Sequence, residues 1–172
     1  MNVVLLGYMA SGKSKIGKEL GKSLSFDFID LDDFIEQQEN NSIHEIFNKY
    51  GELYFRTKEK EHLNALLKDS KNTVISLGGG TPCYYNTMDA LLAKSNLKTV
   101  YLNVSIPVLV DRLKNEKFKR PLIANIETDI LLSEFIGKHL FERAYYYNKA
   151  EININANGEV NEIIEDIIFS LF

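Results

Sequence analysis

The lysine near the end of "GYMASGKS", Gly7 to Ser14, fits the spacing G-x-x-x-x-G-K-[ST]. Between a strand and a helix, that spacing aims backbone N–H groups and the helix N-terminus at a phosphate chain. The lysine then reaches the terminal phosphates and the hydroxyl reaches a bound magnesium ion. The context is present: "NVVLL" (2–6) runs into the loop, and Ile16, Gly17 and Leu20 among Lys15, Lys18 and Glu19 open a helical pattern after it. Lys13 is expected on the phosphates and Ser14 on the metal. The motif specifies a nucleotide phosphate but not the group that receives a phosphoryl.

A metal-binding carboxylate must come from elsewhere, because "VISLGGGTP" (74–82) ends in glycines where many proteins with such a loop carry an aspartate. "FIDLDD" supplies candidates. Asp30 and Asp32 alternate with Leu31 at a strand end and are expected to point to one side, with Asp33 facing away or opening the next helix. Alternatively Asp32 or Asp33 caps that helix.

Two arginines sit on stripes that are otherwise partly apolar. Leu53, Arg56, Glu59, Lys60, Leu63 and Leu67 form one stripe, and Leu132, Ile136, Leu140, Arg143 and Tyr147 the other. A buried guanidinium needs an anion, and its fork suits a carboxylate. Glu59, one turn on, can hold Arg56 in place. Structural ion pairs or snorkelling stems remain open for either arginine alone. Together, beside a phosphate loop and three glycines, they point to a small, carboxylated, hydroxyl-bearing acceptor. Three glycines in a row suggest a close approach to the backbone. "KNEKFKRPLIAN" (114–125) is a basic island in an acidic chain, either a lid that brings Arg120 onto the transferring phosphoryl or a solvated loop.

The elements that must position these residues read as an α/β domain. "NVVLL", "FDFI" (26–29), "TVISL" (73–77), "TVYLNV" (99–104) and "EININ" (151–155) are expected strands, the first, third and fourth buried on both faces. Helical patterns lie between them. The clearest is the last, with Val160, Ile163, Ile164, Ile167, Ile168 and Leu171 on one face. Such alternation gives a mostly parallel sheet that binds ligands beyond the carboxyl ends of its strands. A chain of 172 residues is one domain with a sizeable core. A net charge of -4 argues against a general nucleic-acid binder. No apolar run approaches the ~20 residues of a membrane span. With no basic, apolar leader, a cytoplasmic location is expected. Cys83 has no partner for an intramolecular disulfide, and His44, His62 and His139 show no metal-ligand spacing and are assigned no chemistry.

The ordered set "GYMASGKS", "DLD", "FR", "GGG", "RPL" and "ER" resembles the shikimate kinase family over nearly the whole chain. The resemblance implies a P-loop, NMP-kinase-like three-layer α/β sandwich with a five-stranded parallel sheet in order 2-3-1-4-5 and a lid. It implies a single domain over 1–172, with a shikimate-binding subdomain at about 31–62 and the lid at about 114–126. It also implies transfer of the γ-phosphoryl of Mg·ATP to the 3-hydroxyl of shikimate in aromatic amino-acid biosynthesis. Mg²⁺ is the implied cofactor. ATP and shikimate are the implied partners of a monomer that engages neither nucleic acid nor membrane.

Carried over by position, Gly7, Ala10, Ser11, Gly12, Lys13, Ser14 and Lys15 hold the phosphates, Asp30 joins Ser14 at the metal, and Arg112 lies near adenine. Asp32 binds the acceptor hydroxyls and takes the reacting proton. Arg56 and Arg143 bind the carboxylate, supported by Gly78, Gly79 and Gly80, with Phe47 and Phe55 as the aromatic wall and Arg120 as the lid arginine. The family usually has glycine where this chain has Ala10, so a right-handed loop is expected there, because a left-handed alanine is costly. Lys15 replaces a common threonine, and the resemblance loosens after Ile152. Two rivals remain at this stage: a gluconate kinase, whose acceptor also carries a carboxylate and hydroxyls, and a non-catalytic nucleotide-binding module.

Overall fold

The computed structural model describes residues 1–117 and 120–172; Phe118 and Lys119, within the expected lid, lie outside the described residues. Strand β1 (Asn2–Leu6) occupies the centre of the sheet, and all five of its residues are buried. Burying Val3, Val4, Leu5 and Leu6 at about 1.5–3 kcal/mol each anchors the loop that follows. β3 (Thr73–Ser76) and β4 (Leu97–Asn103) flank β1, while β2 (Asp27–Asp30) and β5 (Ile152–Asn155) form the edges. The order is β2-β3-β1-β4-β5 and every pairing is parallel, with Val4 opposite both Ile75 and Thr99. The expected order and the buried central strands are therefore observed. The edge strands expose side chains such as Asp27, Asn153 and Asn155, whereas the central strands expose only Asn103 at the end of β4.

Helix α1 (Lys13–Leu24) leaves the phosphate loop and packs with the last helix, α7 (Val160–Leu171), whose Ile163, Ile164 and Ile167 are buried. α2 (Leu31–Glu39) packs against α3 (Ile43–Asp69), and α5 (Ile106–Leu113) against α6 (Asp129–Tyr147); α4 (Thr87–Leu92) lies on β4. Ser42 and Glu45 close a reciprocal capping box at the start of α3. α3 breaks at Gly51, whose φ of 83° and ψ of 174° are not helical. The stripe lies wholly after this break but is centred differently from the expectation: Leu53 is 76% exposed and Lys60 also faces out. The buried line instead runs Phe55, Glu59, Leu63 and Leu67. The stripe on α6 is observed as expected, with Leu132, Ile136 and Tyr147 buried. Because the sheet is parallel, the loop after β1, the end of β2 and the glycines after β3 meet at one edge of the molecule.

Candidate active site

The phosphate loop is a shaped backbone with one cation folded over it. Gly12 caps α1 in a left-handed conformation (φ 94°) with no side-chain cap and no acidic residue in the first turn, which leaves the first N–H groups of the helix free for an anion. Ser11 is fully buried, and its hydroxyl has no partner among the described residues. Lys13 Nζ donates to the carbonyls of Gly7 (2.8 Å) and Tyr8 (3.0 Å). Burial brings its pKa down to about 8, although the charges of Asp32 and Asp30 oppose the shift. Ala10 corrects an expectation: its φ is 61°, in the left-handed region. Arg112 Nη1 donates to the Ala10 carbonyl at 3.0 Å, and Ser11 N–H donates to Tyr8 O, so the surrounding bonds hold the loop in a conformation that costs alanine about 1–2 kcal/mol.

Asp30, not Asp32 or Asp33, caps α2. One of its oxygens accepts from the Asp32 N–H at 3.1 Å, and the other accepts from the Ser14 hydroxyl at 2.7 Å. Asp30 and Asp32 do face one cavity, but through a helix start rather than strand alternation, since helical geometry already begins at Leu31. Burial, with help from Asp30 and Glu59, pushes the Asp32 carboxyl up to about 6 against the pull of Lys13 and Arg56. The hydroxyl and carboxylate of Ser14 and Asp30 are hard oxygen donors that suit magnesium. Among the described residues no group of three or more His, Cys, Asp or Glu forms a closed cage. A cation here would take few protein ligands and draw the rest from phosphate oxygens and water.

The three glycines after β3 make room for side chains. None has a positive φ among those recorded, so their backbone does not demand glycine. A Cβ on Gly80 would lie 2.6 Å from Arg56 Nη2, one on Gly79 3.2 Å from Arg143 Nη1, and one on Gly78 3.0 Å from an Asp32 carboxylate oxygen. Arg56 is held rigidly. Nη1 donates to Glu59 at 2.8 Å, the guanidinium carbon lies 4.2 Å from the centre of the Tyr84 ring, and Phe55 is below it at 5.1 Å. Burial alone would lower the Arg56 pKa, but Glu59 raises it, so the guanidinium stays charged. Glu59 is only 2% exposed and also accepts from the Thr81 hydroxyl. Phe47 and Phe55 pack with ring centres 4.6 Å apart.

A cavity of about 510 Å³ brings together Lys13, Ser14, Asp30, Asp32, Gly78, Gly79 and Arg120. Arg120 stands 3.6 Å from Glu116, and its Nε is buried without a hydrogen-bond partner among the described residues. A neighbouring cavity of about 500 Å³ shares Ala10, Gly12, Lys15 and Glu116 with the first and continues past Arg112 to Gly158, Val160 and Ile163. One end therefore offers carboxylates and the Arg120 guanidinium, the middle a phosphate loop, and the far end a partly apolar slot. Such a layout suits phosphoryl transfer between a nucleotide and a small anion.

A sequence profile described as "Shikimate kinase" matches residues 9–171. The chain belongs to the shikimate kinase family. It is 47% identical over 167 residues to a shikimate kinase of Flavobacterium johnsoniae, covering 96% of each chain. The crystal structure of a shikimate kinase from Bacteroides thetaiotaomicron superposes with a TM-score of 0.91 at 34% identity, over 99% of this chain and 98% of that one. A shikimate kinase from Acinetobacter baumannii, solved in complex with shikimate, gives 0.85 at 29% identity, over 99% and 92%.

Within this shikimate kinase fold, Ala10, Gly12, Lys13, Ser14, Lys15, Asp30, Asp32, Gly78, Gly79 and Arg120 line one cavity and Ser11 and Arg112 the next, whereas Arg56, Arg143, Phe47 and Phe55 line neither, the two arginines lying behind Gly80 and Gly79. Sequence reasoning did not find Tyr8, His139 or Tyr147 as parts of the site. Tyr147 donates to the Gly79 carbonyl at 2.6 Å, and His139 bridges Tyr8 and Arg143. The one available signal was that His139 precedes Arg143 by one helical turn. Cys83 is half-buried, and burial pushes its thiol pKa up, which suits packing rather than reactivity.

Proposed function

We propose that this shikimate kinase family member transfers the γ-phosphoryl group of ATP to the 3-hydroxyl of shikimate, giving shikimate 3-phosphate and ADP for aromatic amino-acid biosynthesis. The observation that carries this reading is the convergence of Arg56 and Arg143 on Gly80 and Gly79, beside Asp32 and the phosphate loop. In it, the two guanidinium groups take the acceptor carboxylate and so fix which hydroxyl points at the phosphate. Asp32 orients that hydroxyl and takes its proton as the bond to phosphorus forms. Its raised pKa keeps it a better base than an exposed aspartate while leaving it largely ionised at neutral pH. Lys13 leaves the Gly7 and Tyr8 carbonyls for the phosphate oxygens, with the N-terminus of α1 and the Arg120 guanidinium completing the neutralisation. Ser14 and Asp30 would hold Mg²⁺, which would supply positive charge to offset that of the phosphates. Arg112, Gly158 and Val160 line the slot for adenine.

The reading extends to an acceptor-binding subdomain at about 31–62, a lid at about 114–126 that carries Arg120, and a cytoplasmic monomer. Among the described residues no helix is long and apolar enough to cross a membrane. The paired arginines favour this acceptor over gluconate. ADP release from Mg·ATP with shikimate, with gluconate and without acceptor tests the proposal. Turnover with shikimate alone is expected. Turnover with gluconate would overturn the acceptor assignment, and ATP binding without any turnover would overturn the activity.

A further inference from the structure

Arg56 and Arg143 sit on the same glycine run, yet they are held by different chemistry. Arg56 is clamped by the carboxylate of Glu59, whereas Arg143 has no carboxylate within 4.0 Å among the described residues. Its hydrogen-bond partner is a histidine one turn earlier on α6: Arg143 Nη2 lies 3.2 Å from His139 Nε2. The other ring nitrogen, Nδ1, lies 3.0 Å from the Tyr8 hydroxyl, and the Tyr8 and Phe135 rings meet the imidazole edge-on, with centres at 5.7 and 5.2 Å.

Donor counting fixes the state of this ring. A guanidinium can only donate, so Nε2 must present its lone pair. Nδ1 therefore carries the proton and donates to the Tyr8 oxygen. A doubly protonated ring would turn N–H against N–H and place a second cation beside the first. The groups acting on the ring agree. Burial and Arg143 lower its pKa below the ordinary 6.5, with Glu142 on the same helix pulling weakly the other way. Tyr8, from the loop after β1, is buried and its hydroxyl is pushed up to about 12, so it adds no charge.

We propose that His139 is a positioning residue for acceptor binding: as a neutral imidazole it aims the Arg143 guanidinium at Gly79 and ties it, through Tyr8, to the phosphate loop. A carboxylate in place of His139 would neutralise Arg143 before the acceptor arrives. A neutral acceptor of hydrogen bonds fixes the direction of the guanidinium and leaves its full charge for the incoming anion. Tyr8 also offers its backbone carbonyl to Lys13. The cation expected on the phosphates and the cation expected on the acceptor thus share one scaffold residue. The inference rests on reading Arg143 as a carboxylate-binding residue.

Steady-state kinetics of His139→Leu, His139→Gln and Arg143→Ala across pH, with melting temperatures, test it. His139→Leu is expected to raise KM for shikimate about tenfold, the loss of one hydrogen bond to a charged group, with kcat and KM for ATP changed less than about twofold. His139→Gln, whose amide accepts from Arg143 and donates to Tyr8, is expected to restore most of that affinity. In the wild type, KM for shikimate should rise as pH falls below 6.5, where His139 gains its second proton. Glutamine does not titrate, so the rise should shrink in His139→Gln, although Asp32 titrates alike in both. If Arg143→Ala raises KM but His139→Leu and the pH profile of His139→Gln match the wild type, the positioning role is overturned. If Arg143→Ala itself leaves KM unchanged, the carboxylate reading of Arg143 has failed and this inference falls with it. Should the leucine variant melt too low to assay, the pH profile of the glutamine variant decides alone.

Discussion

The phosphate loop and the proposed acceptor pocket lie side by side, meeting at Gly79 and Asp32, and handle charge by opposite means. The loop uses backbone: the uncapped start of α1 and the N–H groups around Gly12 face the anion, and a single contiguous stretch supplies them. The acceptor pocket uses side chains from α2, α3 and α6, and its backbone contributes mainly space at Gly78, Gly79 and Gly80. The loop can carry alanine at a left-handed position because Arg112 and Tyr8 fix its carbonyls and amides. The pocket has no such slack, since Arg56, Glu59 and Thr81 depend on one another in a buried network. Recognition by backbone tolerates side-chain change, and recognition by buried side chains does not.

The sharpest test of that contrast is Asp32→Asn. Turnover is expected to fall by about 10²–10⁴, the usual contribution of a positioned base. Wild-type kcat/KM should lose activity as pH drops through about 6, and the variant should lose the part of that limb carried by kcat while keeping the rise in shikimate KM assigned to His139. Stability should move the other way. The folded-state pKa of Asp32 lies above its ordinary 3.8, so the penalty for keeping it ionised is full above pH 6 and is relieved as pH falls toward 3.8. Removing the charge at pH 7 is worth at most about 3 kcal/mol, with the opposing pull of Lys13 already contained in that figure. A variant that turned over normally, or melted lower than the wild type, would refute the assignment.

Next in size is the difference between two arginine truncations. Both Arg56→Ala and Arg143→Ala should weaken acceptor binding, but only the first leaves a buried carboxylate without its cation. Urea unfolding is expected to show a loss of about 3–5 kcal/mol for Arg56→Ala and less than about 1 kcal/mol for Arg143→Ala. Equal losses would erase the distinction drawn between the two sites. The smallest effect belongs to the loop. Ala10→Gly relieves about 1–2 kcal/mol of left-handed strain but adds chain entropy to the unfolded state, so a net gain below about 1 kcal/mol with unchanged turnover is expected. A large change in either direction would show that the loop depends on the side chain after all.

Much of this arrangement was legible in the sequence because its signals are local. The strand, glycine spacing and helix around Lys13 are contiguous, and Arg143 sits on a stripe whose period survives in α6. Legibility failed at the margins of elements. Leu53, near the start of the segment after Gly51, was counted into a face whose buried line is Phe55, Glu59, Leu63 and Leu67, and the strand–helix junction at Leu31 makes Asp30 the cap. The left-handed Ala10 was missed because its stabilising partner, Arg112, lies far along the chain. The Tyr8–His139 contact spans 131 residues, and no periodicity encodes it.

The buried triad of Arg56, Glu59 and Thr81 also constrains how this chain can evolve. A lineage drifting toward an uncharged acceptor has no use for Arg56, yet losing it first strands Glu59 without its cation. Losing Glu59 first leaves a buried guanidinium and a threonine hydroxyl without their acceptor. Each single step is selected against even where the double replacement would be neutral. Preference for a carboxylated acceptor is thereby protected by epistasis, a ratchet in sequence space that the phosphate loop, able to change one residue at a time, does not possess.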